Sequence, residues 1–274
     1  MKRKIKEFLV KNNCKWVFDF FKYSKNRVIG FFEFFKESLF STCNKIWHYS
    51  RRCLLVGRYL KSHKIRKLQI GGGDNILEGW LNTDFMPRNN QTVILDVTRT
   101  MLFKSNTFDY IFCEHMIEHI TYAQAHKMLK ECLRILRPNG KLRISTPDLE
   151  VYIGLFGHQK SSMQERHIEW IGNNWLKRQG IHSPNEVFVL NLMMHGWGHK
   201  FLYDFKTLKN LLGESGFSDI RRAQVKISDD ENLKGIESHG DAIKNIKGIE
   251  KQFGSKFDNE MNEFGSLTVE GSKR

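Results

Sequence analysis

Over the first forty residues, apolar side chains recur at three- and four-residue intervals among lysines: Ile5, Phe8, Leu9, Trp16, Val17, Phe20 and Phe21, then Val28, Phe31, Phe32, Phe35 and Leu39. That spacing predicts two helices, each with one apolar face, separated by Gly30 and the run from Lys22 to Asn26. From Lys67 onward short apolar strands alternate with helical stretches. KLQIGGG, LNTDF, TVILDV and FDYIFCE read as four strands. Thr121 opens a helix as N-cap, with Gln124 in capping-box position and Ala125, Met128, Leu129, Cys132, Leu133 and Leu136 along one face. Arg137-Pro138-Asn139-Gly140 ends it, and KLRIST is a fifth strand. Residues 150 to 203 are less regular. Asp204 caps a further helix with Leu208, Leu211 and Leu212 inside and Gly216 at its end, and FSDIRRAQVKI reads as a strand. Residues 241 to 274 are polar and rich in Gly, Asn and Lys, which predicts a loosely ordered tail.

Strands alternating with helices imply parallel pairing under helical layers: an α/β, doubly wound (Rossmann-like), mostly parallel sheet whose ligand sits at the carboxyl ends of the strands. The helical N-terminal extension, residues 1–62, precedes a domain over 63–240 and the polar tail 241–274. Charge sharpens this division. The chain carries +14, and residues 1 to 67 hold 18 Lys+Arg against 4 Asp+Glu, while residues 68 to 274 hold 26 of each. The basic character therefore belongs to the arm alone. Such an arm suits an anionic membrane surface through residues 1–60, or an acidic polymer such as RNA. Equally, its apolar stripe suits packing on the neutral body or on a second subunit.

Five cysteines without a C-x-x-C pair write neither a disulfide framework nor a cysteine-built zinc site, and a reducing cytoplasm is the expected compartment. The longest stretch free of Asp, Glu, Lys and Arg, Val187 to His199, is shorter than the ~18 residues of a membrane span. The basic N-terminus lacks an uninterrupted apolar h-region and a cleavage site, so no export signal is expected.

Gly71-Gly72-Gly73 follow an apolar strand directly, where glycines let the backbone approach a ligand and expose N–H groups. A dinucleotide fingerprint fails, because Ile76 occupies the third glycine position. Asp84 ends the next strand, where a carboxylate can accept both hydroxyls of a ribose, and Asp96 ends the third, placed for an exocyclic amine. Either acid alone reads more simply as a turn residue. Three consecutive strand ends each bearing the required group are harder to reach by coincidence.

With these segments in view, LQIGGGDNILEGWLNTDF, LDVTRTMLFKSNTFDYIFCEHMIEHI, LKECLRILRPNGKLRISTPDL and HGWGHKFLYDFKTLKNLLGESGF, the chain resembles the class I S-adenosylmethionine-dependent methyltransferases, in particular the type 11 group and its glycan-gene-associated branch. The resemblance covers residues 67 to 220. It implies that Gly71, Gly72 and Gly73 border the methionine part of S-adenosyl-L-methionine, that Asp84 holds the ribose, that Asp96 and Val97 flank the adenine, and that Glu114 and His115 line the pocket beside the sulfonium. It also makes 150–203 the acceptor-side insertion. Gln69 and Asn75 depart from the usual acid and third glycine, and the short interval from Gly73 to Asp84 leaves room for only a very short or irregular first helix. The fourth strand lacks the N-P-P-Y or D-P-P-Y signature of amino-methylating nucleic-acid enzymes, which argues against DNA adenine or cytosine N4 as acceptor.

Methyl transfer to oxygen needs an in-line approach and a base for the hydroxyl proton. Histidine is the economical base near neutral pH. His115, His119 and His199 are the catalytic candidates, with His195 a further histidine in the same stretches. The run His115-Met116-Ile117-Glu118-His119 also has the H-x-x-E-H form of a zinc peptidase, a motif that must lie within one helix. Here it follows a strand. It is similar, too, to the acid-x-x-E-H pattern of metal-assisted O-methyltransferases, with His195 or His199 to complete a shell. The plainest reading makes Glu118 and His119 braces for the following helix, and no metal ligand is assigned. In HGWGHKFLYD, His199 is expected to face the site and Asp204 to cap its helix. Glu237 and His239 have no role that the sequence reveals. The sequence thus predicts a cytoplasmic methyltransferase acting on a small acceptor, with O-methylation of a saccharide the favoured chemistry. The rivals are a non-catalytic cofactor-fold binding protein tethered to membrane or RNA by its arm and, less favoured, a zinc hydrolase.

Overall fold

The computed structural model describes residues 47–238 and 259–274. The helices predicted between Ile5 and Leu39 lie outside the described residues, as does His239. The chain divides into two units, residues 1–51 and 52–274, and the second contains everything that follows. Among the described residues no helix is long and apolar enough to cross a membrane.

A seven-stranded sheet forms the centre, in the order β3-β2-β1-β4-β5-β7-β6. Its strands are β1 (Lys67–Ile70), β2 (Leu81–Asp84), β3 (Val93–Ile94), β4 (Phe108–Glu114), β5 (Leu136–Pro147), β6 (Ser218–Ala223) and β7 (Ser266–Ser272). β1 to β5 are parallel, and β7 runs antiparallel between β5 and β6. The order reverses at β1, with β2 on one side and β4 on the other, the point at which a doubly wound sheet opens a crevice beyond its strand ends. A mostly parallel sheet is the architecture that the alternating pattern predicts, with six of its seven strands; the seventh, β7, lies where a loose tail is expected.

The flanking helix α2 (Tyr122–Ile135) begins as its sequence says it should. Thr121 Oγ1 accepts from the Gln124 N–H at 3.3 Å, and the Gln124 side chain accepts from the Thr121 N–H at 2.9 Å. Ala125, Met128, Leu129 and Cys132 are buried against the sheet. Truncating Leu129 to Ala would cost about 2–5 kcal/mol for a site this enclosed. The helix after residue 203 (Phe205–Glu214) likewise starts at Asp204, whose Oδ1 accepts from the Thr207 N–H at 2.8 Å.

Three expectations change. Helical residues 52–62 (α1) belong to the body and not to the arm: Leu55, Val56, Tyr59 and Leu60 pack on the main core, and the Tyr59 hydroxyl accepts from the Lys67 N–H at 2.8 Å. Residues 150–203 are not irregular. They fold into α3 (Leu149–Gly154), α4 (Ser162–Ile171), a π-helical turn (Gly172–Leu176) and α5 (Glu186–His195), followed by α6, the Phe205–Glu214 helix. These enclose a second core of Tyr152, Leu155, Ile171, Leu176, Val189 and Met193. α4 carries a Ser161–Gln164 capping box, a start signal present in the sequence, whereas EVFVLNLMMH in α5 is apolar nearly all round and shows no helical face. The third change is in the polar tail. α7 (Asn259–Phe264) leads into β7, buried from Leu267 to Gly271.

The tail can lie inside the sheet because its polar groups find partners there. Arg143 on β5, with no exposed side-chain surface, donates to Glu270 Oε1 on β7 at 2.6 Å and to Glu237 Oε1 at 2.5 Å. It also donates to the carbonyls of Gln224 and Ile227 at 2.8 and 3.0 Å. Glu237 Oε2 accepts from the Lys226 N–H at 2.9 Å. Glu237 is thus part of a buried clamp fastening the segment after β6.

Candidate functional site

The bend after β1 has a separate reason for each glycine. At Gly71 (φ +68°) an added Cβ would lie 2.4 Å from Met116 Cγ, and at Gly72 it would lie 2.8 Å from the Gln69 side chain. Those two are fixed by the protein's own packing. Gly73 also has positive φ (+55°), yet an added Cβ there meets nothing within 4 Å. Its N–H donates to Asp84 Oδ2 at 2.9 Å, and the Met86 N–H donates to Asp84 Oδ1 at 2.7 Å. The Asp84 carbonyl accepts from the Leu95 N–H at 2.9 Å, placing the segment before Asp96 alongside β2. Gly73, Asp84 and the start of the Asp96 turn therefore meet in one place.

Asp96 is engaged by its own turn: Oδ1 accepts from the Thr98 N–H at 3.0 Å and from its hydroxyl at 2.6 Å, and Oδ2 pairs with Arg99 at 3.1 Å. Val97 is buried. Glu114, at the end of β4, accepts from the Ser238 N–H at 3.0 Å. The open left-handed glycine beside a strand-end carboxylate is a cradle that fits a nucleoside-bearing ligand close to the backbone. No helix forms between Gly73 and Asp84, as the short interval requires.

Beyond β4 and β5 lies a cavity of about 240 Å³, lined among others by His119, Tyr152, His167, Trp175 and His199. His115 turns the chain off β4 with φ +44°, and its Nδ1 lies 3.2 Å from Glu118 Oε1. Burial alone would lower the His115 pKa, but the hydrogen bond and charge of Glu118 carry it above its ordinary value. Burial alone would raise that of Glu118, and His115 holds it below. Glu118 Oε2 accepts from the Thr146 hydroxyl at 3.0 Å. The backbone carbonyl of Glu118 accepts from the Lys200 N–H at 2.7 Å, which brings the 196–200 segment against the turn Ile117–His119. His119 and His199 then meet edge to face, ring centres 4.9 Å apart. His199 Nδ1 lies 2.6 Å from the Met193 carbonyl oxygen. Burial lowers its pKa, with the Met193 contact opposing.

The far wall is aromatic. Trp170 and Trp175 meet edge to face at 4.8 Å, and Trp175 meets Trp197 at 5.7 Å. The π-helical turn extends the interval between Trp170 and Trp175 so that both line the cavity. Trp197 takes φ +51°, strained for an aromatic residue, between Gly196 and Gly198. His167 is almost fully buried. Burial pushes its pKa down to about 4, with the Met261 backbone opposing, and neither ring nitrogen has a hydrogen-bond partner of normal geometry among the described residues.

Residues 81–144, from β2 into β5, match the family model described as a methyltransferase domain. That segment, under a quarter of the chain, is thus similar to methyltransferase domains. The fold search finds 15% identity over 82% of this chain and 52% of the structure of Haemonchus contortus phosphoethanolamine N-methyltransferase 2, at a TM-score of 0.40. The chain thus spans about half the length of that protein. A possible histamine N-methyltransferase from Thermotoga maritima matches at 14% identity, 84% of this chain, 96% of that chain and TM-score 0.42. An S-adenosylmethionine-dependent methyltransferase from Archaeoglobus fulgidus matches at 15%, 84%, 94% and 0.41. A search of the curated proteins finds no match.

The structure brings the predicted site residues together in two groups: Gly71, Gly72, Gly73, Asp84, Asp96 and Val97 around the strand-end bend, and His115, His119 and His199 beside the cavity. Glu114 lies at the end of β4, held by the segment after β6. His195 is exposed at the end of α5 and does not line the cavity. H-x-x-E-H lies on a strand end and a three-residue turn, not within one helix, so a peptidase arrangement is not built. Sequence reasoning missed Tyr152, His167, Trp170 and Trp175. The His167-x-x-Trp170 pair on a capped helix was the available signal.

Proposed function

We propose that the protein moves the methyl group of S-adenosylmethionine onto a hydroxyl of a small acceptor, a saccharide or related polyol, bound in the cavity beside His119 and His199. The observation that carries this reading is the juxtaposition of an aromatic-walled cavity with two adjacent imidazoles, packed edge to face, beyond the carboxyl end of β4. Tryptophan faces suit the C–H surface of a sugar ring, while the histidines and Glu118 suit its hydroxyls. Bound there, S-adenosylmethionine supplies an electrophilic methyl on a sulfonium.

The chain's own residues then have separable tasks. The Gly71–Gly73 bend admits the methionine part, Asp84 accepts the ribose hydroxyls, and Asp96 with Val97 borders the adenine. Glu114 and His115 wall the space toward the sulfonium. Trp170 and Trp175 orient the acceptor and exclude water, so that its oxygen approaches in line with the bond being broken. With Nδ1–H of His199 donating to the Met193 carbonyl, a tautomer assigned from that contact, Nε2 is left to accept a proton. The oxygen forms its bond to the methyl carbon as the carbon–sulfur bond breaks, and the hydroxyl proton passes to the His119–His199 pair.

Equilibrium dialysis with S-adenosylhomocysteine, followed by turnover of labelled cofactor with pooled saccharides, tests this reading. Micromolar binding lost in Asp84→Ala, with methylated saccharide lost in His199→Ala while binding remains, is the expected outcome. Binding without turnover on any polyol would favour the non-catalytic alternative.

A further inference from the structure

We propose that Glu118, His119 and His199 form a site for one divalent transition-metal ion of the zinc class, opening onto the cavity. Each offers a ligand atom, and these atoms lie within 4.8 Å of one another. Bonds of about 2.1 Å in tetrahedral geometry separate ligand atoms by about 3.4 Å, so small side-chain rotations suffice to close the set on an ion. A carboxylate and two imidazoles favour zinc, cobalt or iron over magnesium or calcium.

The backbone preforms the set. The Lys200 N–H to Glu118 carbonyl bond at 2.7 Å joins the residue after His199 to the residue before His119. Two separate segments, 80 residues apart along the chain, are thereby locked with their ligands adjacent.

The surrounding contacts are those that orient metal ligands. The Met193 carbonyl fixes the His199 ring through Nδ1 and leaves Nε2 for the ion. His115 and the Thr146 hydroxyl each hold one Glu118 oxygen, and each oxygen keeps a further lone pair. His115, first in H-x-x-E-H, is thus a positioning residue outside the ligand set, and His199 takes its place. Glu118 is fully buried, so a cation beside it offsets the cost of an enclosed carboxylate.

Three protein ligands leave a coordination position facing the cavity, where an acceptor hydroxyl would bind and lose its proton more readily. That role rests on the proposed methyl transfer and, with the ion bound, replaces the proton-accepting task of His119 and His199, the hydroxyl proton leaving to solvent, whereas binding of the ion does not rest on it. The experiment therefore reads the metal directly. Full-length protein, stripped with a chelator and redialysed, is titrated with cobalt and zinc, following cobalt d–d absorption and zinc content by elemental analysis. One zinc per chain is expected, displacing cobalt, with affinity lowered at least about a hundredfold in His199→Ala and in His119→Ala, and about tenfold or more in His115→Ala. Circular dichroism confirms that the histidine variants are folded, which keeps the test independent of buried Glu118. Zinc absent from the wild type at micromolar concentration, or bound equally by folded His119→Ala and His199→Ala, overturns the site. S-adenosylhomocysteine binding on the same samples separates the two proposals: a metal-loaded protein without nucleoside affinity defeats methyl transfer and keeps the metal, and the reverse result does the opposite.

Discussion

Gly73 and Asp84 lie 11 residues apart and meet through one 2.9 Å hydrogen bond at neighbouring strand ends, whereas the cavity gathers Tyr152, His167, Trp175 and His199 from four elements with their own small core. The first half of the site is a by-product of sheet topology: wherever β1 bends and β2 ends, those groups must be neighbours. The second half depends on how α3, α4, α5 and the π-helical turn pack on one another. In the proposed function, cofactor contacts are therefore tied to the geometry of a parallel sheet, and acceptor contacts to a separately packed layer.

The sharpest way to probe that separation is through the element that serves both halves. Arg143 ties β5 to β7 and to the segment after β6, whose Ser238 N–H reaches Glu114. Replacing it with Met leaves Glu237 buried without its counter-charge and Glu270 with Arg221 alone, at 2.9 Å, and about 3–5 kcal/mol of stability is expected to go. Urea unfolding measures this. A loss below about 1 kcal/mol would mean that the post-β6 segment detaches alone, and the halves would then be less coupled than the clamp implies.

A smaller effect isolates the cavity side. His167 is neutral in the fold because burial holds its pKa near about 4, against about 6.5 when unfolded. Above pH 6.5 neither state carries the proton and the group is silent. As pH falls from 6.5 toward 4 the unfolded chain takes up a proton that the fold refuses. Stability then drops by up to about 3 kcal/mol, reaching its full loss once the folded imidazole is also protonated. His167→Gln should flatten that part of the stability–pH curve. An unchanged slope between pH 6.5 and 4 would show that the α4 wall is not closed over this ring.

Legibility followed the same division. Capping boxes, strand ends and the glycine bend are local and could be read, and Thr121 with Gln124 and Asp204 with Thr207 stand where the pattern put them. What escaped was non-local. β7 reads as a polar tail because Glu270 and Thr268 look like surface residues until Arg143 and the Ser145 hydroxyl are placed beside them. The cavity wall escaped because Trp170 and Trp175 share a surface only through a π-helical turn, which helical periodicity does not anticipate, and because α5 is too evenly apolar to show a face. Glu118 reads as a brace in the sequence, and its backbone does brace, yet its carboxylate joins two histidines that only the fold brings together.

The smallest expected effect on the fold gives the finest test of the strand-end half. Gly71→Ala must push a Cβ into Met116 while holding φ at +68°, so its cost of about 1–2 kcal/mol is paid by the protein whether or not a ligand is present. Gly73→Ala faces only the backbone strain at φ +55°, about 1 kcal/mol, because open space receives its methyl. If that space belongs to the cofactor, the ranking reverses when S-adenosylhomocysteine binding is measured by calorimetry. Gly73→Ala should weaken binding by tenfold or more with a melting temperature close to wild type, while Gly71→Ala should show the larger melting shift. Equal binding by wild type and Gly73→Ala would place the cofactor elsewhere, and the openness at that glycine would then be no more than an exposed turn.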